Sequence, residues 1–254
     1  MDTLATTLLG FFFAGYFVLG GADIGLGMLA PYLGRGRDER QHVTSTMAPL
    51  FLANEVWLVA SVGVFIGAFP ELEGDVLSGL LPVFVPLVAG WVVRDAGLWW
   101  RVTGGPAAAD WLVAGGSWVA AGSWGWVLAS LLNDSPTEPT SPGLGALTTL
   151  FVLLLFLAHG LAFATLRLTG APLQRALRLT GRARYPFALT SVVIATLAVL
   201  AGARLPLSEH AASDTSLKLL VPVSLVVLPL LAGAHLWLWR LVRRGGGLQP
   251  TSLF

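Results

Sequence analysis

The sequence has no cysteine and few charges: 11% of its 254 residues are Asp, Glu, Lys or Arg, and the formal net charge is +1. Without cysteine there are no disulfides, thiolate metal sites or iron–sulfur clusters. The near-zero net charge gives no ground for nucleic-acid binding. A soluble domain of this size carries roughly twice the charged fraction seen here. Apolar residues dominate instead, at 55%, with a mean hydropathy of +0.76. This composition predicts a single transmembrane helical domain over residues 1–254, an all-α polytopic bundle. Strands are excluded because an open sheet would leave backbone groups unpaired in lipid.

A helix crosses a hydrocarbon core of roughly 30 Å with about 20 apolar residues. Seven stretches qualify: 4–33, 48–69, 77–100, 110–132, 144–167, 186–203 and 217–242. The first lacks the basic start of a secretory signal, and its apolar run continues through Gly20 and Gly21 to Asp23. It is therefore expected to be a membrane span and not a cleaved leader. At 1.5 Å per residue it is about 45 Å long, so it must tilt or project.

The connections predict the orientation. Arg35, Arg37 and Arg40 follow the first span, and Arg94 and Arg101 flank the turn between the third and fourth. Arg167, Arg175, Arg178, Arg182 and Arg184 lie between the fifth and sixth, and Arg240, Arg243 and Arg244 close the seventh. Thirteen arginines on one side face only Arg204 and Lys218 on the other, where Glu71, Glu73, Asp75, Asp134 and Glu138 also fall. The excess of positive charge predicts the arginine side to be cytoplasmic, with the N-terminus outside and the C-terminus inside. Trp99, Trp100, Trp111, Trp237 and Trp239 near the same helix ends suit an interfacial aromatic belt.

Ionisable groups within spans are costly and mark function by default. Asp23, Glu55, Arg94, Asp95, Asp110, His159 and His235, with Asn54 beside them, all fall in the arginine-side halves of their helices. Two readings of Asp23 and Glu55 compete: a structural hydrogen bond or ion pair between helices, or a hydrated half-channel admitting protons from the cytoplasm. Asp95 and Asp110 read as solvated helix ends, and Arg94 and Arg101 as interface anchors. His159 and His235 sit at similar depth and suggest either a bis-imidazole haem or ordinary histidines bonded to a carbonyl or carboxylate.

The run Gly20-Gly21-Ala22-Asp23-Ile24-Gly25-Leu26-Gly27-Met28-Leu29, followed by Asp38-Glu39-Arg40, resembles the first-helix signature of the second subunit of cytochrome bd quinol oxidases, D-G-F-D-x-G-x-G-M-L. Met47-Ala48-Pro49 and Asn54-Glu55-Val56-Trp57-Leu58 are similar to that family's A-P-x-W-[DE]-[GA]-N-x-V-W-L. Arg94, Gly97, Arg101, Asp110-Trp111 and His159-Gly160 are spaced like its later landmarks, so the resemblance covers roughly residues 10–180. It implies a prokaryotic plasma-membrane subunit that ligates no haem and pairs with a larger haem-bearing subunit oxidising quinol and reducing dioxygen. It also implies that Asp23, Glu55, Asp110 and His159 line a proton path, supported by Asn54, Arg94 and Arg101, and that a quinone or lipid is a bound component. The chain departs from the pattern where Gly20 replaces an acid, where Phe51-Leu52 replaces the Trp-acid pair, and at Trp99. It also offers seven spans where the family has nine.

Two other functions fit the residues. A proton-coupled transporter would use the same acids, although no repeat relates residues 1–125 to 126–254. A haem-binding membrane anchor would rest on His159 and His235.

Overall fold

The computed structural model describes residues 1–181 and 186–244, with side chains described to Arg240. Arg182 and Arg184 lie outside the described residues, as do the side chains of Arg243 and Arg244. The described residues form nine helices and no strand. They are α1 (Asp2–Leu33), α2 (Arg37–Ala68), α3 (Pro70–Gly79), α4 (Leu81–Val102), α5 (Ala108–Leu132), α6 (Pro142–Arg167), α7 (Gly170–Thr180), α8 (Phe187–Gly202) and α9 (Asp214–Arg244).

All seven predicted spans are helical, and five are long and apolar enough to cross a membrane: α1, α2, α4, α6 and α9. The other two differ for separate reasons. Helix α5 has the length, but it is rich in Gly, Ala, Ser and Trp. Its small residues, among them Gly116, Ser117, Ala120, Ala121 and Gly125, are buried against neighbouring helices. Helix α8 is apolar but has 16 residues, about 24 Å at the usual rise, which is short of a full hydrocarbon core.

Three boundaries correct the sequence reading. The expected span 77–100 is two helices: α3 ends at Gly79, Leu80 is not helical, and α4 begins at Leu81 with Pro82 in its first turn. Proline suits that position because its missing N–H has no helical acceptor there. The arginine-rich connection after α1 shrinks to Gly34–Gly36, since α2 starts at Arg37 with Asp38 and Glu39 in its first turn, where acids complement the helix dipole. The connection between α6 and α8 contains an unexpected amphipathic helix, α7, which buries Pro172 and Ala176 and leaves Arg178 exposed.

Helix α1 is the central element, packed against α2, α5, α6 and α8, while α4 and α5 form a close pair. Two backbone approaches set these crossings. A Cβ on Gly25 would lie 1.9 Å from the Phe156 carbonyl oxygen, and one on Gly160 would lie 2.2 Å from the Gly25 carbonyl carbon. A Cβ on Gly116 would lie 2.4 Å from the Gly90 carbonyl oxygen. Small residues permit this intimacy in membranes, where dispersion and polar contacts, and not hydrophobic expulsion, hold helices together.

The arginine-bearing connections gather at one end of the bundle. Arg175 on α7 pairs with both Glu39 carboxylate oxygens, at 2.7 and 2.9 Å, and also donates to the Leu33 carbonyl. These hydrogen bonds, followed by the Arg35 backbone N–H, hold the Glu39 carboxyl well below the usual carboxylate range, at about 2. The clasp therefore stays ionised throughout the physiological pH range. At the opposite end Arg204 meets Asp134 at 3.5 Å, His210 faces Glu71 at 3.7 Å, and the Ala212 N–H bonds the Ala68 carbonyl at 2.8 Å.

Replacing Gly25 by valine should force α1 and α6 apart and cost about 3 kcal/mol. Gly115→Ala, where a Cβ meets open space, should be neutral or slightly stabilising. Unfolding in mixed detergent micelles at increasing dodecyl sulfate would measure both, and equal behaviour of the two variants would refute the crossing as a packing constraint.

Candidate functional site

Asp23 lies on α1 two residues before the Gly25 crossing and is 1% exposed. The α2 residue opposite it is Asn54, also buried, whose Nδ2 donates to Asp23 Oδ2 and to the Leu19 carbonyl at 3.2 Å. Asp23 Oδ1 and Asn54 Oδ1 are buried and have no hydrogen-bond partner among the described residues. A buried polar atom left this way costs about 1–3 kcal/mol. The packing of α1 against α2 must offset that cost.

The next residue on α2, Glu55, turns toward α4. Its Oε1 accepts the Trp91 indole N–H at 2.8 Å and lies 3.6 Å from Arg94 Nη1. Arg94 Nη1 also holds Asp95 Oδ1 at 2.8 Å. Asp23, Asn54, Glu55 and Arg94 share one cavity of about 220 Å³, continued by apolar residues toward Tyr16, Val62 and Phe84. The register of the antiparallel helices puts the polar groups at the arginine-rich end of that cavity. Its far wall carries Tyr16, whose hydroxyl accepts the Trp124 indole N–H at 3.1 Å.

Four sequence-predicted residues thus converge: Asp23, Asn54, Glu55 and Arg94. Two expectations are corrected here. Arg94 is not an interface anchor; it is 3% exposed and pairs with two acids. Asp95 is not a freely solvated helix end but half of an ion pair. Trp91 was missed, although its place three residues before Arg94 puts both on one helix face.

Asp110 and Arg101 form a second centre at the ends of α4 and α5. Asp110 is 3% exposed, so it is not a solvated helix end either, and Arg101, at 2%, is not an anchor. Arg101 Nε lies 3.1 Å from Asp110 Oδ1, and Arg40 Nη1 lies 3.4 Å from Oδ2. This triad is separate from the Asp23 cavity, which Asp110 does not line.

His159 is elsewhere again. Its Nδ1 pairs with the Thr190 hydroxyl of α8 at 2.7 Å and its Nε2 with the Val18 carbonyl of α1 at 2.8 Å, and its ring stacks on Phe187. His235 on α9 has no hydrogen-bond partner among the described residues and meets the Trp57 ring edge-on. With both nitrogens of His159 engaged and the two rings held against different helices, the pair does not fit a bis-imidazole haem.

Removing the Asn54 amide leaves the Asp23 carboxyl without a side-chain donor. Asn54→Ala should lose about 1–3 kcal/mol in mixed-micelle unfolding. Asp23→Asn combined with Asn54→Ala should lose less than the sum of the two single changes, because the partners act as a unit. Full additivity would show that the contact carries no coupling.

Comparison with known proteins identifies a family. A family profile described as cytochrome bd terminal oxidase subunit II matches residues 1–207. The chain is 30% identical over 187 residues to cytochrome bd ubiquinol oxidase subunit 2 of Bacillus subtilis, covering 65% of this chain and 53% of that protein. It is 32% identical over 94 residues to cytochrome bd-I ubiquinol oxidase subunit 2 of Escherichia coli K12, covering 37% of this chain and 25% of that one. A probable cytochrome oxidase subunit 2 of Haemophilus influenzae is 27% identical over 206 residues, covering 74% and 53% respectively. The chain thus spans at most about half the length of these relatives. With a match over most of its length, and with five helices able to cross a membrane, the chain belongs to the cytochrome bd terminal oxidase subunit II family of membrane proteins.

Proposed function

We propose that this chain is the second, non-haem-ligating subunit of a bd-type quinol:dioxygen oxidoreductase in a prokaryotic plasma membrane. In this reading it packs against a larger haem-bearing subunit and holds protons on a path from the cytoplasm. The arginine-rich end faces the cytoplasm, the N-terminus lies outside and the C-terminus inside, in keeping with the positive-inside rule.

The carrying observation is the grouping of acids near one buried guanidinium: half-buried Glu55 and Asp95 pair with Arg94, and buried Asp23 lines the same cavity as Glu55 and Arg94. Three carboxyls and one cation reach neutrality only when two protons are held among them. Asp23 and Arg94 are buried, and uncompensated charge in such a place costs several kcal/mol. Glu55 and Asp95 both face Arg94, and a proton can pass between them while Arg94 balances whichever is ionised. Asn54 holds one oxygen of Asp23 and leaves the other available to a proton carrier.

The haems and the quinol chemistry belong to the partner subunit in this proposal. Reduction of dioxygen to water consumes protons, and a proton-holding cluster opening toward the cytoplasm answers that demand. Asp110 and His159 take lesser parts here. Asp110 is bound by two arginines and His159 by two fixed partners, so both steady the helices that flank the path.

Purification in mild detergent with the native partner tests the assembly: a haem protein should accompany this chain. Asp23→Asn together with Glu55→Gln should lower dioxygen consumption by about 10²-fold, the usual scale of a lost proton-transfer group. The haem spectrum and the co-purification should be unchanged. Unaltered turnover and unaltered proton uptake from the cytoplasmic face would refute the path, and purification as a solitary, cofactor-free chain would refute the subunit assignment.

A further inference from the structure

The arginine-rich end holds a second cavity, of about 430 Å³, whose lining carries four guanidinium groups and no carboxylate. Arg35 enters from the α1–α2 connection, Arg37 and Arg40 from the first turns of α2, and Arg101 from the end of α4. Backbone of Gly104, Gly105, Pro106 and Ala107 completes the wall. Gly104 takes a positive φ of +88°, which turns the chain sharply there and presents main chain where a side chain would otherwise stand.

The four arginines fall into two kinds. Arg101 and Arg40 are committed: both pair with Asp110, Arg101 also donates to the Gly105 and Arg37 carbonyls at 3.0 and 3.1 Å, and Arg40 to the Gly34 carbonyl at 3.0 Å. They form a fixed floor, and Arg101 is 2% exposed. The guanidiniums of Arg35 and Arg37 are exposed and make no ion pair among the described residues. Of the nearby acids, Glu39 is taken by Arg175 and Asp110 by the floor, while Asp38 is exposed and does not line the cavity. With Asp110 counted, the site carries three uncompensated positive charges.

Helix α5 adds to this field. It begins at Ala108 with Ala107 as its cap, no side-chain capping bond and Asp110 in its first turn. Its N-terminal end therefore borders the same wall, while Asp110, already counted, offsets part of its positive dipole. Guanidinium forks match the geometry of phosphate oxygens, and a floor fixed in advance loses little freedom on binding. Exposed Trp99, Trp100 and Trp111 stand at the same helix ends, the level that indoles take among lipid headgroups.

We infer that this cavity binds a phosphate group, presented either by an anionic phospholipid or by a soluble phosphate. Arg40 and Arg101 orient the anion from beneath, and Arg35 and Arg37 close over it. The site is distinct from the Asp23 cluster and does not depend on the proton path.

The test is a titration in two arms on the full chain, alone or in its natively purified complex. In one arm, delipidated protein in detergent receives phosphatidylglycerol or phosphatidylcholine, and bound lipid is counted by native mass spectrometry. In the other, protein in phosphatidylcholine nanodiscs receives inorganic phosphate, followed by tryptophan fluorescence. Arg35→Gln with Arg37→Gln should weaken binding by about tenfold or more while leaving the thermal midpoint unchanged. Arg178→Gln, on exposed α7 surface, should leave binding as it is. Selective loss of phosphatidylglycerol binding identifies a lipid headgroup, and selective loss of phosphate binding identifies a soluble ligand. Binding in neither arm, binding indifferent to the double variant, or an equal loss in Arg178→Gln would overturn the inference.

Discussion

The contact between Gly25 of α1 and Gly160 of α6 governs much of this molecule. It lets two backbones touch, and it carries α1 into the middle of the bundle. Once α1 is central, Asp23 can no longer reach solvent, and α2 must supply a donor for it. Asn54 does so. The same crossing sets the register of His159, the neighbour of Gly160, whose ring reaches the Val18 carbonyl and Thr190. One close approach thus links a carboxyl, an amide, an imidazole and a hydroxyl on four helices.

Helix α4 applies a comparable constraint to the positive charges. Its buried face runs through Val83, Leu87, Gly90, Arg94, Gly97 and Arg101, a three–four spacing that keeps one side of a helix against its neighbours. Gly90 and Gly97 bring α5 close, which leaves Arg94 and Arg101 between helices and removes them from the interface with headgroups. A buried arginine requires carboxylates. Glu55 and Asp95 meet one, and Asp110 the other. The two centres sit about two helical turns apart and differ in character: Arg94 is outnumbered by acids, whereas Asp110 is outnumbered by arginines.

That difference separates two roles along the same helix. In the roles proposed above, the excess of acids is what would hold and exchange protons, and the excess of guanidiniums is what would attract an anion. Both follow from the choice of residues at two positions of one repeating face. Much apolar surface remains around them, most of all on α9, where Leu219, Val226, Leu230 and Trp237 are each more than 60% exposed. Such a surface suits lipid or a second apolar subunit, which is how a member of this family is expected to be surrounded.

The fold class was legible in the chain itself. Long apolar runs without charge leave the backbone no alternative to helices in lipid, and the seven runs all became helices. The grouping of arginines into alternate connections was legible too, and so was the short list of costly residues inside spans, with Asn54 and Glu55 adjacent on α2. The spacing of α4's buried face was also present in the chain, but Arg94 and Arg101 were read singly and taken for anchors. Helix α7 was hidden because its arginines make it look like a loop until Pro172 and Ala176 find a surface to cover. Other features arose only from tertiary packing. Nothing along the chain says that Asp110 meets Arg40, 70 residues away, that Trp91 donates to Glu55, or that both nitrogens of His159 are taken. Composition and period decide which segments enter the membrane, because transfer into lipid is a property of each segment. Pairing of polar groups depends on which helix faces meet, and that is set by close backbone approaches between distant residues.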